Sequence, residues 1–299
     1  MKNFHGFGQK DSYFEGWYFK HQRCEDTACF IPGIHIDKAG NRSAFIQIIT
    51  KEQSFYFTFP SSKFFVSKNM LFVQIGNNIF TEKGVEIDLV SNGLSIKGKI
   101  DYGVFSEIRY PIMGPFALLP RMQCHHEVIS MSHTLRGWLM IGDQVMNFND
   151  GVGYIEKDWG KSFPSRYVWT QCNQFPNQEI NLMAAAATVP LFSYRMKGCI
   201  CSIHYRGKEY RLATYLGASV KRDSNEQMIL KQGRYQFEVL LRKKQSQELK
   251  APDVGQMSRI IHENAACTVR YTFKRQEETL FEQESAQASF EFSEQSLED

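Results

Sequence analysis

Residues 153–173 read Gly-Tyr-Ile-Glu-Lys-Asp-Trp-Gly-Lys-Ser-Phe-Pro-Ser-Arg-Tyr-Val-Trp-Thr-Gln-Cys-Asn, two short extended runs that concentrate acids, bases, aromatics and amides. As a strand, residues 154–159 set Tyr154, Glu156 and Asp158 on one face and Ile155, Lys157 and Trp159 on the other. Two carboxyls so close, if buried, raise each other's proton affinity, which is how an acid keeps a proton near neutral pH. The same residues would also serve as a solvated strand end. In a second strand Tyr167, Trp169, Gln171 and Asn173 share a face, an aromatic wall suited to a cation beside amides suited to a polar head group. A packed barrel interior with its amides bonded to backbone reads the same way. Gly160 and Pro164 punctuate the link, so both faces are able to line one cavity.

Two further groups carry polar chemistry. Glu15 lies in Tyr13-Phe-Glu-Gly-Trp-Tyr-Phe-Lys20, and a carboxylate inside an aromatic run must face solvent, pair with a cation or belong to a site. His125 and His126 follow Cys124, but consecutive strand residues point to opposite sides, so the pair cannot easily hold one metal and no metal site is expected. His204 and His262 are isolated and read as structural.

The elements that must position these residues are strands. Phe55, Phe57 and Phe59 alternate with Ser54, Tyr56 and Thr58; Leu94, Ile96 and Ile100 alternate with Ser95, Lys97 and Lys99. The pattern returns at residues 235–241 and 267–274, with turn signals at residues 38–41, 76–78 and 91–93. Convincing helical periodicity is scarce: residues 225–232 are one short candidate, and residues 183–188 are alanine-rich but too short to count. An all-β chain of many strands must hide its edges, and closure into barrels does so. Residues 288–292 are expected to supply a closing strand before the acidic C-terminal segment frays.

The 299 residues are enough for one large or two ordinary domains, and a net charge of +3 offers no strong field for nucleic acid or an anionic membrane. Aromatic residues make up 14%, a load suited to strands and apolar pockets. The seven cysteines are odd in number and show no zinc-like pairing, so reduced thiols are expected. With no run of about 18 apolar residues and no signal-like start, a cytoplasmic protein without an integral membrane segment is expected. Hydrolase, kinase, dinucleotide-binding and zinc-protease motifs are missing.

The 153–173 segment and the block at residues 13–20, together with Met113-Gly-Pro-Phe-Ala-Leu-Leu-Pro-Arg-Met-Gln-Cys-His-His126 and Ser258-Arg-Ile-Ile-His-Glu263, resemble the tocopherol cyclase-like family, which is related to carotenoid hydratase-like proteins. The resemblance implies two lipocalin-like antiparallel β-barrel or sandwich domains packed side by side, with few helices. A faint echo, Tyr13-x-Glu15-x-Trp17 against Tyr154-x-Glu156-x-x-Trp159, would then mark the first strand of each domain, at residues 1–150 and 151–299. Trp17 after Gly16 resembles the tryptophan that plugs a lipocalin barrel. His126 stands where the family usually has histidine; His125 departs from its pattern.

The resemblance further implies a cofactor-independent cyclase of a prenylated phenol or quinol. An acid protonates an alkene, an aromatic pocket shelters the cation, and a phenol oxygen closes the ring. Asp158 or Glu156 would be the acid and Tyr154, Trp159 and Trp169 the cation-facing wall; His126, Gln171 and Asn173 would orient the phenol, with Glu15 and Trp17 also at the ligand. Alternation sets Trp159 opposite Asp158, so both assignments hold only if the strand is bulged. A hydratase would quench the same cation with water. A carrier that binds a hydrophobic small molecule without turnover is the reading from a different class, and a divergent member with a filled pocket is a third.

Overall fold

A computed structural model describes residues 4–91, 93–119, 122–176, 180–191 and 194–295. The described chain folds into two antiparallel sheets, one of 12 strands drawn from Tyr13 to Gly160 and one of 10 strands drawn from Arg166 to Glu294. The regular non-strand elements are short 3-10 turns, among them Gly114–Leu118 and Thr214–Leu216. This is an all-β fold of two lipocalin-like domains side by side.

The helical candidate at residues 225–232 fails, and the alanine-rich run is a strand as well. Residues 183–188 lie inside the strand Ile180–Leu191, and residues 227–232 form the strand Gln227–Gln232. Cross-strand pairing overrides alanine's helix propensity, because Ala184 and Ala186 fill the interior of the second domain while Ala185 and Ala187 face the other way. The expected closing strand at residues 288–292 belongs to a longer one, Glu278–Glu294, paired with Gln256–Arg275 and with Arg166–Cys172.

The echo also resolves differently. Gly151–Gly160 does not open the second sheet; it lies in the first, paired with Tyr13–Arg23 on one side and Cys124–Ile141 on the other. Glu15 pairs with Trp159 and Trp17 with Lys157, so the two echoing blocks are neighbours. The sheets change over at residues 161–165, about one strand beyond the expected boundary.

Period-two alternation is used on both faces of the central strands. Trp17, Phe19 and Ile155 face the first domain's core; Val168, Leu182, Ala184 and Phe290 face the second's. The opposite faces, carrying Tyr18, Tyr154, Tyr167, Trp169 and Met183, meet in a third apolar cluster between the sheets. Close backbone approach is part of this packing. A Cβ on Gly33 would meet the Phe45 ring at 2.4 Å and the Glu15 carbonyl at 2.8 Å. Gly33→Ala is therefore expected to destabilise by about 1–3 kcal/mol; a denaturation midpoint equal to that of the parent protein would refute the packing account.

Candidate active site between the two sheets

A cavity of about 200 Å³ opens between the sheets, and its lining is mostly aliphatic and aromatic carbon. Polar groups converge on it from four central strands: His126, Glu156 and Asp158 from the first sheet, Glu263 and Glu291 from the second. Neither sheet alone makes the site. Tyr18 of the first sheet donates to Glu263 Oε1 at 2.6 Å, and the Trp169 indole of the second donates to Glu156 Oε2 at 3.2 Å.

Glu156 is buried at the cavity. The Tyr154 hydroxyl donates to its Oε2 at 2.5 Å, and His126 Nε2 lies 3.4 Å from the same oxygen. Burial lifts its pKa from the usual carboxylate range to about 7, against the opposing pull of His126. The other ring nitrogen, Nδ1, is 2.9 Å from Asp158 Oδ1. Burial disfavours charge on this imidazole, but Asp158 and Glu156 outweigh it and hold the pKa up at about 9. The ring thus lies between two carboxyls, bonded to Asp158 and close to Glu156.

The ligating atoms of His126, Glu156 and Asp158 lie within 4.8 Å of one another, a separation that would also suit a metal ion. Glu156 Oε2 already accepts two hydrogen bonds and His126 Nδ1 is directed at Asp158.

Glu263 and Glu291 were not foreseen. They are register partners on adjacent strands and both buried. Burial raises Glu263 to about 7, and burial together with Glu263 pushes Glu291 well above the ordinary range. Each is held by a tyrosine, Tyr18 on Glu263 and Tyr167 on Glu291. The Arg259 guanidinium lies 5.7 Å over the Tyr167 ring and bonds to the Pro164 carbonyl, a nearby cation that opposes the rise at Glu291. The signal that singles out Glu15, a carboxyl within an aromatic run, also describes Glu291 between Phe290 and Phe292.

The expected residues divide by face. Tyr154, Glu156, Asp158, His126 and Trp169 come together at the cavity, Tyr154 as the partner of Glu156 rather than as a lining residue. Gln171 and Asn173 share Trp169's face but lie beyond the cavity: Gln171 accepts from the buried Lys20 ammonium at 2.9 Å, and Asn173 donates to the Gly153 carbonyl at 2.8 Å. Trp159 is turned away. Register is unbroken from Val152 to Gly160, so no bulge brings it round to Asp158's face. Its ring stacks between His5, at 4.1 Å, and His125, at 5.2 Å.

Trp17 and Glu15 also point into the first domain. Trp17 is part of its core, and Glu15, wholly buried, accepts from Tyr13 at 2.6 Å and faces Lys157 at 3.5 Å. Among the two adjacent histidines, His126 reaches the acids and His125 the Trp159 stack, opposite sides as alternation requires. All seven cysteines are free. Among the described residues no helix is long and apolar enough to cross a membrane.

Comparison with solved structures supports the two-domain fold. A protein assigned as AttH from Nitrosomonas europaea aligns with a TM-score of 0.58 at 10% identity, covering 94% of this chain and 92% of that one. Kievitone hydratase from Nectria haematococca aligns with a TM-score of 0.52 at 11% identity, covering 94% and 89%. At such identities the likeness concerns the fold alone.

In sequence, the chain is 22% identical over 277 residues to a chloroplastic tocopherol cyclase of Zea mays and 23% identical over 275 residues to a probable chloroplastic tocopherol cyclase of Oryza sativa subsp. japonica. Each match covers 72% of this chain but 58% of the plant protein, so the chain spans less than two thirds of these relatives. The pattern described as tocopherol cyclase-like matches residues 78–293, which include His126, Glu156, Asp158, Glu263 and Glu291. The chain belongs to the tocopherol cyclase-like family.

Proposed function

We propose that the chain binds a prenylated phenol or quinol between its sheets and closes a ring by adding a proton to the alkene. The observation that carries this reading is Glu156, an acid that burial keeps partly protonated at neutral pH beside an apolar cavity, linked through His126 to Asp158. Glu156 gives its proton to one alkene carbon, and the other becomes a tertiary cation against Trp169 and Tyr167, whose π faces favour positive charge. The phenol oxygen forms the new C–O bond and releases its proton to Asp158. His126, between the two acids, returns a proton to Glu156. One C–H and one C–O bond form, one O–H bond and the alkene π bond break, and no net oxidation occurs.

Incubation with a panel of prenylated quinols in deuterium oxide tests the reading. Cyclisation yields a product with one solvent deuterium on carbon and no added water. A product heavier by one water would make the chain a hydratase. Ligands bound but returned unchanged would leave a carrier, and a protein that binds none of them would overturn the site.

The reading also sets a pH dependence. A donor must hold its proton, and Glu156 holds it below about 7, far above the ordinary carboxylate range. Turnover is expected to be flat on the acid side and to fall as pH rises through about 7, tenfold per pH unit beyond it. A rate that rises with pH over that interval would assign Glu156 to a base role instead.

A further inference from the structure

The acids sit in the middle of the cavity. In the first sheet the strands run Arg42–Thr50, Asp26–Ile36, Tyr13–Arg23, Gly151–Gly160, Cys124–Ile141; in the second, Gln256–Arg275, Glu278–Glu294, Arg166–Cys172, Ile180–Leu191, Tyr194–Tyr205. The sheets face each other in that order, with Asp26–Ile36 against Gln256–Arg275 and Cys124–Ile141 against Ile180–Leu191. Glu156, Asp158 and Glu291 therefore come from central strands, and lining residues continue to both sides.

One arm is bounded by Gly16, Ile31, Phe45, Gln47, Leu249 and Pro252, with the Gln47 amide spent on two hydrogen bonds to the Lys250 backbone. The other is bounded by Met113, Phe116, Met122, Ala185, Ala187 and Gly198 and, among the described residues, carries no charged or amide side chain.

Two glycines of this lining have no conformational need to be glycine. Neither Gly16 nor Gly198 has a left-handed φ. A Cβ on Gly198 would meet only Thr214 Oγ1, at 3.8 Å, and one on Gly16 would find its nearest neighbour, Ile31 Cγ2, at 3.7 Å, both ordinary contacts. Gly33, by contrast, is sterically required. Glycine in a strand interior is destabilising and often marks close approach of a ligand. Gly198 pairs across the strands with Ala187, so together they leave a notch in the apolar arm.

We infer that the ligand's reacting group is internal: the Ala187 and Gly198 arm takes an apolar tail, the Gly16 and Phe45 arm takes the head beyond the acids, and the Ala187–Gly198 pair sets the bulk of tail accepted. This rests on the reading of the cavity as a prenylated-phenol site.

Binding of para-ethylphenol and para-dodecylphenol, followed by calorimetry, tests it without turnover. Gly198→Val and Ala187→Leu are each expected to weaken the dodecyl compound about tenfold and the ethyl compound less than about twofold. Gly16→Ala weakens both alike. Valine suits a strand, and Gly198→Ala provides a milder variant should Gly198→Val lose its thermal transition. Equal weakening of both phenols by Gly198→Val and Ala187→Leu, or none, overturns the assignment of the arms while leaving the cavity in place. Failure of the parent protein to bind either phenol would remove the cavity reading and the inference with it.

Discussion

Glu156→Gln is expected to lower turnover of a prenylated quinol by roughly 10²–10⁴-fold, the contribution of a positioned general acid. Gln keeps the shape of the side chain, and its carbonyl oxygen still accepts from the Tyr154 hydroxyl and the Trp169 indole, so binding should change by no more than a few fold. What the variant loses is the transferable proton. Asp158→Asn should also be slow, because the phenol's proton then lacks its acceptor and His126 loses the carboxylate at 2.9 Å. The double variant should be little slower than the worse single one, since groups acting as one relay are not additive. Single-turnover kinetics and calorimetry on the same preparations separate the two effects. Undiminished turnover in Glu156→Gln would move the donor role to another acid, with Glu263 and Glu291 next in line.

Lys157→Met is expected to have the largest effect on stability, a loss of about 3–5 kcal/mol, because removing one partner of a buried pair strands the other charge. Lys157 and Glu15 are both fully buried inside the first domain with 3.5 Å between their charged atoms, and Glu127 lies 3.4 Å from the same ammonium. Trp159 packs 4.6 Å from that ammonium, so cation–π attraction is lost as well. Adding Glu15→Gln should restore part of the loss, and a double-mutant cycle by urea denaturation measures the coupling. Lys157 faces away from the cavity, so the folded variant should bind ligand as the parent does. A loss below about 1 kcal/mol would mean that water reaches the pair and the domain interior is open there.

The strand pattern was legible because burial acts on each strand locally. Alternation at residues 54–59, 94–100, 235–241 and 267–274 matches strands of the structure. The same rule turned His125 from His126 and Trp159 from Asp158, and it grouped Tyr154, Glu156 and Asp158. It failed at residues 183–188 for a physical reason. An alanine-rich run has no contrast between its faces, so the two-residue period is invisible even though one face fills a core and the other lines a cavity.

By itself, then, the sequence determined an all-β chain, the family and a face bearing Glu156 and Asp158. Those follow from local residue order and from blocks of side chains that identity alone reveals. Only the tertiary structure decided which of two buried faces lines the cavity. Glu15 and Glu156 are both acids within aromatic strands, but one meets Lys157 inside a barrel and the other meets His126 and Trp169 between the sheets. It also brought Glu263 and Glu291 to the same cavity, more than 100 residues along the chain from Glu156. Each acid's proton affinity depends on desolvation and on charges supplied by distant strands, and neither is written in the residues beside it.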